Sequence, residues 1–187
     1  MKLWLVRHPK PIVASGICYG HLDLVPESEA LIAATQTLSK SLPLNIPVYT
    51  SPLLRAQSLA ESLLKIRSDL TLHSDDRLKE MNFGCWESTP WNDIPQGIIN
   101  AWVKDFPTHR FGGIESAQDV VNRVDSFLQT MKSKQECILI THAGVIKAVH
   151  FLKTSITGQL RSAQDWPERS IGYGDCELLE FNDDNRL

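Results

Sequence analysis

Five side chains of this sequence have the types needed to move a phosphoryl group, and they fall in four separate stretches. Arg7 and His8 are adjacent. Arg55 sits in Ser51-Pro52-Leu53-Leu54-Arg55-Ala56, Glu80 in Leu78-Lys79-Glu80-Met81, and His142 in Thr141-His142-Ala143-Gly144. The planar fork of arginine grips phosphate oxygens in pairs. A neutral imidazole is a competent nucleophile toward phosphorus. A carboxyl group beside a bound phosphate dianion is discouraged from ionising and can act as general acid. Together these parts suffice for phosphoryl transfer, which depends mainly on positioning and charge stabilisation.

Each residue also has an ordinary reading. An arginine on a helix face is usually solvated, and a lone histidine is usually structural. Arg55 stands one turn into an expected helix, and His142 joins an apolar run to a helix start, where backbone amides favour an anion. His73, His109 and His150 read as surface or structural, and Glu87 is a rival to Glu80 as the acid. The spacing of His8, Glu80 and His142 matches no short metal motif, and two arginines beside a cation would repel it. No metal and no cofactor is therefore expected.

The elements that must position these residues alternate. Short apolar runs at Leu3–Val6, Ile46–Tyr49, Leu70–Leu72 and Cys137–Ile140 read as buried strands, with Glu177–Phe181 as a late addition. Helical patterns cover Glu27–Leu42, Pro52–Leu64, Ala117–Met131 and about Val145 to Leu152. Ser51 is the expected cap of the second helix, with Pro52 at its first position. Ser116 and Asp119 stand at capping-box spacing before the third. Alternating strands and helices predict an α/β three-layer sandwich, with a mainly parallel sheet flanked by helices. Right-handed crossovers then bring the carboxyl ends of the strands to one edge, where ligands bind. Arg7-His8, Ser51 to Arg55 and His142 should converge there, joined by Glu80–Trp86.

Length and composition narrow the class. A chain of 187 residues with 42% hydrophobic and 22% charged residues reads as a single domain over 1–187 with a sufficient core. A net charge of −3 gives no basic field for a nucleic-acid backbone. No segment has the apolar length of a membrane span. Leu3–Val6 is too short for a signal-peptide core, and Cys18, Cys85, Cys137 and Cys176 form no C-x-x-C pair. A cytoplasmic protein with reduced thiols is expected. No motif specifies an oligomeric state.

The chain resembles the histidine phosphatases, the superfamily that includes phosphoglycerate mutases and acid phosphatases. The matching pieces are Leu5-Val6-Arg7-His8, the Thr50–Ala56 stretch, Leu78 to Glu87, Gly113-Ile114-Glu115-Ser116 and Ile140 to Ile146. Within that family it is most similar to small phosphatases of the α-ribazole phosphatase kind, a flavour shared by Gly16 to Leu24. The resemblance implies that His8 is the phosphorylated nucleophile and that Arg7, Arg55 and His142 form the phosphate pocket. It implies that Glu80 gives a proton to the leaving oxygen and takes one from water. The backbone amide of Ala143 adds a donor. The implied activity is metal-independent hydrolysis of a small phosphorylated metabolite, with α-ribazole 5′-phosphate as one instance. Mutase-type transfer and a non-catalytic phosphate-binding module are the alternatives.

Two features refine this. Pro9 and Lys10 replace the usual Gly and Glu, and no Asn stands in Val13-Ala14-Ser15-Gly16; both departures speak against a mutase. Arg7 and Arg55 should lower the pKa of His8, and its other ring nitrogen should donate to a backbone carbonyl. Specificity is expected from Lys10, Tyr19, His21, the Trp91 to Arg110 region and the polar Thr154–Ser170 stretch. A helical lid is expected at about 88–112.

Overall fold

A computed structural model describes residues 1–131 and 135–181. Five strands form one sheet: β1 (Lys2–Arg7), β2 (Pro47–Thr50), β3 (Thr71–Ser74), β4 (Glu136–Thr141) and β5 (Cys176–Glu180). Their order across the sheet is β3-β2-β4-β1-β5. The first four are parallel, whereas β5 runs antiparallel along β1, with Cys176 opposite Val6. The long helices are α1 (Ser28–Ser41), α2 (Leu54–Ile66), α3 (Gln96–Lys104), α4 (Ala117–Met131) and α5 (Ala143–Thr154).

The period of two along the strands builds the layers. Leu3 and Leu5 of β1, with Cys137 and Leu139 of β4, face a core made with α4 and α5. Val6, Ile138 and Ile140 face the opposite way, toward Ala34 and Leu38 of α1 and Leu59 and Leu63 of α2. Both faces of β1 and β4 are thus covered, which is why their sequences read as continuous apolar runs. The predicted three-layer α/β sandwich is the observed one.

Boundaries shift where tertiary contacts compete with local signals. The capping box of α4 forms as expected: Ser116 Oγ accepts from the Asp119 amide, and Asp119 Oδ2 accepts from the Ser116 amide. The predicted start of α2 at Pro52 with Ser51 as cap is not what forms. Ser51 Oγ accepts from the Leu53 amide and turns to His142, and α2 begins at Leu54, whose amide donates to Asp23 Oδ1 at 2.7 Å. A side chain from 31 residues upstream therefore supplies the cap.

The same rim gathers the strand ends. The His8 amide donates to the Thr141 carbonyl, the Ser51 amide to that of Ile140 and the Asp75 amide to that of Thr50. The four parallel strands stop in register, so the residues that follow them lie side by side. Residues 88–112 form a short helical turn and α3, and their aromatic side chains Trp91, Trp102 and Phe106 cluster with Phe83 and Phe111. The aromatic partner of the His8 ring, beside His142, is Tyr173 and not a residue of that cluster.

Candidate active site

Arg7 and His8 leave β1, Arg55 lies in the first turn of α2, and His142 caps α5. The four meet at the rim. His8 is 2% exposed, and Arg55 and His142 are completely buried. The His8 and His142 rings lie 4.9 Å apart, centroid to centroid.

His8 Nδ1 donates to the Pro9 carbonyl at 2.7 Å, as the sequence led one to expect, so Nε2 is the nitrogen with a free lone pair. Pro9 lacks an amide for a ligand, but its carbonyl sets the tautomer of the neighbouring ring. Burial, reinforced by Arg55 and then Arg7, holds the His8 pKa down at about 3, against an opposing contribution from the Pro9 bond. Burial also holds His142 well below the ordinary histidine value, with His8 and Arg55 adding to the effect.

The sign of the coupling to stability follows. Both histidines are neutral in the folded protein, and protonation favours the unfolded chain. The stability they contribute is complete above about pH 6.5 and is lost as pH falls toward the folded values. Between about pH 6 and 4 neutral His8 should contribute a slope approaching about 1.4 kcal/mol per pH unit, and His142 adds to it in the same direction. Thermal unfolding of His8→Asn should therefore depend less steeply on pH in that window than unfolding of the wild type; parallel curves would contradict a neutral, buried His8.

Arginine bonding sorts into held and free nitrogens. Arg55 Nη1 donates to the Leu22 carbonyl at 2.9 Å and Nη2 to that of Gly20 at 2.6 Å. Arg7 Nη1 donates to the Ile171 carbonyl at 2.8 Å and reaches Ser170 Oγ at 3.3 Å. The Nε atoms of both arginines are buried and have no partner, and neither has Nδ1 of His142. His142 Nε2 lies 2.8 Å from Ser51 Oγ. Since the Leu53 amide already donates to that oxygen, the Ser51 hydroxyl can give its proton to Nε2, leaving Nδ1 protonated. Unpaired buried donors are costly, and a cluster of them beside a neutral imidazole marks a place for an anion.

Glu80 reaches the same rim. Its Oε2 accepts from the Gly144 amide at 3.1 Å and its Oε1 from the Met81 amide at 3.0 Å. A Cβ at 144 would lie 2.2 Å from Glu80 Oε1, so any larger residue there would have to displace the carboxylate. The Gly144 amide at the start of α5 is thus taken by Glu80, and Ala143 is the residue before it. The rival acid Glu87 is committed elsewhere: its oxygens accept from the amides of His21, Leu22 and Phe83.

His21 is hydrogen-bonded behind Glu80. Nε2 donates to the Glu80 carbonyl at 2.9 Å, and Nδ1 accepts from Asn82 Nδ2 at 3.2 Å, so both nitrogens are used. Arg123, which attracted no notice in the sequence, donates to the same carbonyl at 3.0 Å and pairs with Glu115 at 2.7 Å. Tyr19 faces the site, with the Arg55 guanidinium 5.3 Å from its ring centroid. Tyr173 was missed as well. It lies 5.4 Å from the His8 ring, with the Arg7 guanidinium 3.9 Å from its centroid. The cause is the direction of β5: an antiparallel strand beside β1 begins at the rim where β1 ends, which brings Gly172-Tyr173-Gly174 to the site. Among the described residues no three histidine, cysteine or carboxylate side chains form a metal-ligating group. Nor is any helix among them long and apolar enough to cross a membrane.

A parallel-stranded three-layer fold with paired histidines and arginines at its carboxyl edge defines a class of phosphate-handling proteins. The model of the histidine phosphatase superfamily, branch 1, matches residues 3–184, and the chain belongs to that family. The α-ribazole phosphatase of Shigella flexneri is similar in structure, with 24% identity, a TM-score of 0.81, and coverage of 98% of this chain and 92% of that one. A mycobacterial glucosyl-3-phosphoglycerate phosphatase matches with 24% identity and a TM-score of 0.77 over 96% and 89%. A phosphoglycerate mutase from Thermus thermophilus matches with 26% identity and a TM-score of 0.73 over 100% and 97%. No curated protein matches significantly in sequence.

Proposed function

We propose that the protein hydrolyses a phosphomonoester of a small metabolite through a phosphohistidine at His8. The observation that carries this is the set of unpartnered buried donors, Arg7 Nε, Arg55 Nε and His142 Nδ1, around an imidazole whose Nδ1 is already tied to a carbonyl. In the first step His8 Nε2 forms a bond to phosphorus as the ester P–O bond breaks, and Glu80 gives its proton to the departing oxygen. In the second, water forms a P–O bond as the N–P bond breaks, and its proton returns to Glu80. Arg7, Arg55 and His142 hold the non-bridging oxygens and neutralise charge that builds in the transition state. His21 and Arg123 act as positioning residues, since both donate to the Glu80 carbonyl. The neighbours named α-ribazole phosphatase and glucosyl-3-phosphoglycerate phosphatase favour hydrolysis, and α-ribazole 5′-phosphate is one substrate to assay.

The test is a rapid quench of the protein with a labelled phosphomonoester. An acid-labile, alkali-stable phosphoenzyme with stoichiometric phosphate release supports the proposal; binding of phosphate without either product defeats it. Glu80→Gln should lower kcat about a hundredfold on ethyl phosphate, whose leaving alkoxide needs a proton. On 4-nitrophenyl phosphate, whose leaving group needs none, the loss should be about tenfold or less. Equal losses on the two esters would remove Glu80 from the role of acid.

A further inference from the structure

The two tyrosines at the rim form a single device. The hydroxyls of Tyr19 and Tyr173 are 2.8 Å apart and hydrogen-bonded. The ring of Tyr173 faces Arg7 and His8, and that of Tyr19 faces Arg55. Both also line a cavity of about 260 Å³ whose other walls include Pro11, Val13, Ala14, Ser15 and Ile17. The one cation on that cavity, Lys10, is already paired with Glu27 at 2.6 Å. The cavity thus meets the His8 and Arg55 cluster through its two tyrosines, and its remaining walls are mainly aliphatic carbon with the Ser15 hydroxyl and no unpaired positive charge.

On the reading that this site hydrolyses phosphomonoesters, we infer that Tyr173 and Tyr19 select the alcohol part of the ester, and that they favour an uncharged, planar group over a carboxylated one. A planar group stacks against the tyrosines at little conformational cost. A carboxylate would surrender part of its hydration to the aliphatic walls and find the one cation, Lys10, already paired with Glu27. Tyr173 thereby holds Arg7 through one face and meets the leaving group at the cavity.

The experiment compares phenyl, 4-carboxyphenyl and ethyl phosphate. The wild type should use phenyl phosphate at least about tenfold more efficiently than its 4-carboxy analogue, through KM. Tyr173→Ala should lower kcat/KM on phenyl phosphate about five- to tenfold, with a clearly smaller loss on ethyl phosphate. Comparing variant with wild type on one ester cancels the intrinsic reactivity of the leaving group. Tyr173→Leu keeps bulk without a flat ring; it should show the same selective loss and serves if the alanine variant folds poorly. Equal losses on both esters would assign Tyr173 to holding Arg7 alone and overturn the inference, as would equal use of the phenyl and carboxyphenyl esters. Failure of the wild type to turn over any of the three esters or to form a phosphoenzyme is a separate result, which defeats the hydrolase reading and this one with it.

Discussion

Replacing His8 with alanine is expected to abolish turnover, by at least about 10⁴-fold in kcat, because removal of a nucleophile leaves only the pocket's binding and charge. The ring is almost wholly buried, and its Nδ1 holds the Pro9 carbonyl. Its loss leaves a small cavity and an unpaired acceptor, worth about 1–3 kcal/mol of stability. The fold should survive, since the strands around it draw their cohesion from apolar residues at positions 3, 5, 6 and 137–140. Circular dichroism checks the fold, and acid-labile phosphoenzyme checks the chemistry. Wild-type-like hydrolysis by this variant would falsify the assignment of His8 as nucleophile.

Arg55→Ala should cost about 10³-fold in kcat/KM, the scale seen when a transition-state charge donor is removed. Three losses combine. The phosphate loses the Nε donor; the Gly20 and Leu22 carbonyls lose their ligands; and the His8 imidazole loses the second cause of its low pKa. With the guanidinium gone, the protonated ring is repelled less, so its pKa should rise from about 3. It should stay below the ordinary value, because burial is the larger cause. The acid limb of kcat/KM should accordingly move to higher pH, which a ring-proton titration by NMR can confirm. Arg55→Lys supplies the charge without the fork. Its three donors radiate from one nitrogen rather than from the spread of a planar fork that spans both carbonyls, so it should recover less than about tenfold. Full recovery by lysine would reduce the role of Arg55 to charge alone.

Much of this site was legible in the chain because its residues report on themselves. A strand that ends in Arg-His, another that ends in Ser-Pro-Leu-Leu-Arg and a third that ends in Thr-His-Ala-Gly place polar groups directly after apolar runs. The rules of parallel sheets then bring those ends to one edge. The meeting of Arg7, His8, Arg55 and His142, the carbonyl partner of the His8 ring and the three-layer fold follow from such local pattern, and the structure agrees with each. One reading failed because residues distant in sequence intervened. Ser51 was expected to cap α2 but is engaged with His142, which lies 91 residues further along, and Asp23 caps the helix instead. His21, expected among the specificity residues, has its ring nitrogens bonded to the Glu80 carbonyl and to Asn82, partners that local pattern did not indicate.

Local sequence thus determined which elements form and which chemical groups stand at their ends. Only the tertiary structure decided the partners of those groups: that Arg7 lies on Tyr173, that Arg123 and His21 share the Glu80 carbonyl, and that Glu87 is consumed by amides. The physical reason lies in range and direction. Helix and strand periodicity is read from residues a few positions apart, whereas a hydrogen bond at the rim depends on the direction of a strand such as β5. That direction is chosen by long-range packing and carries no local mark.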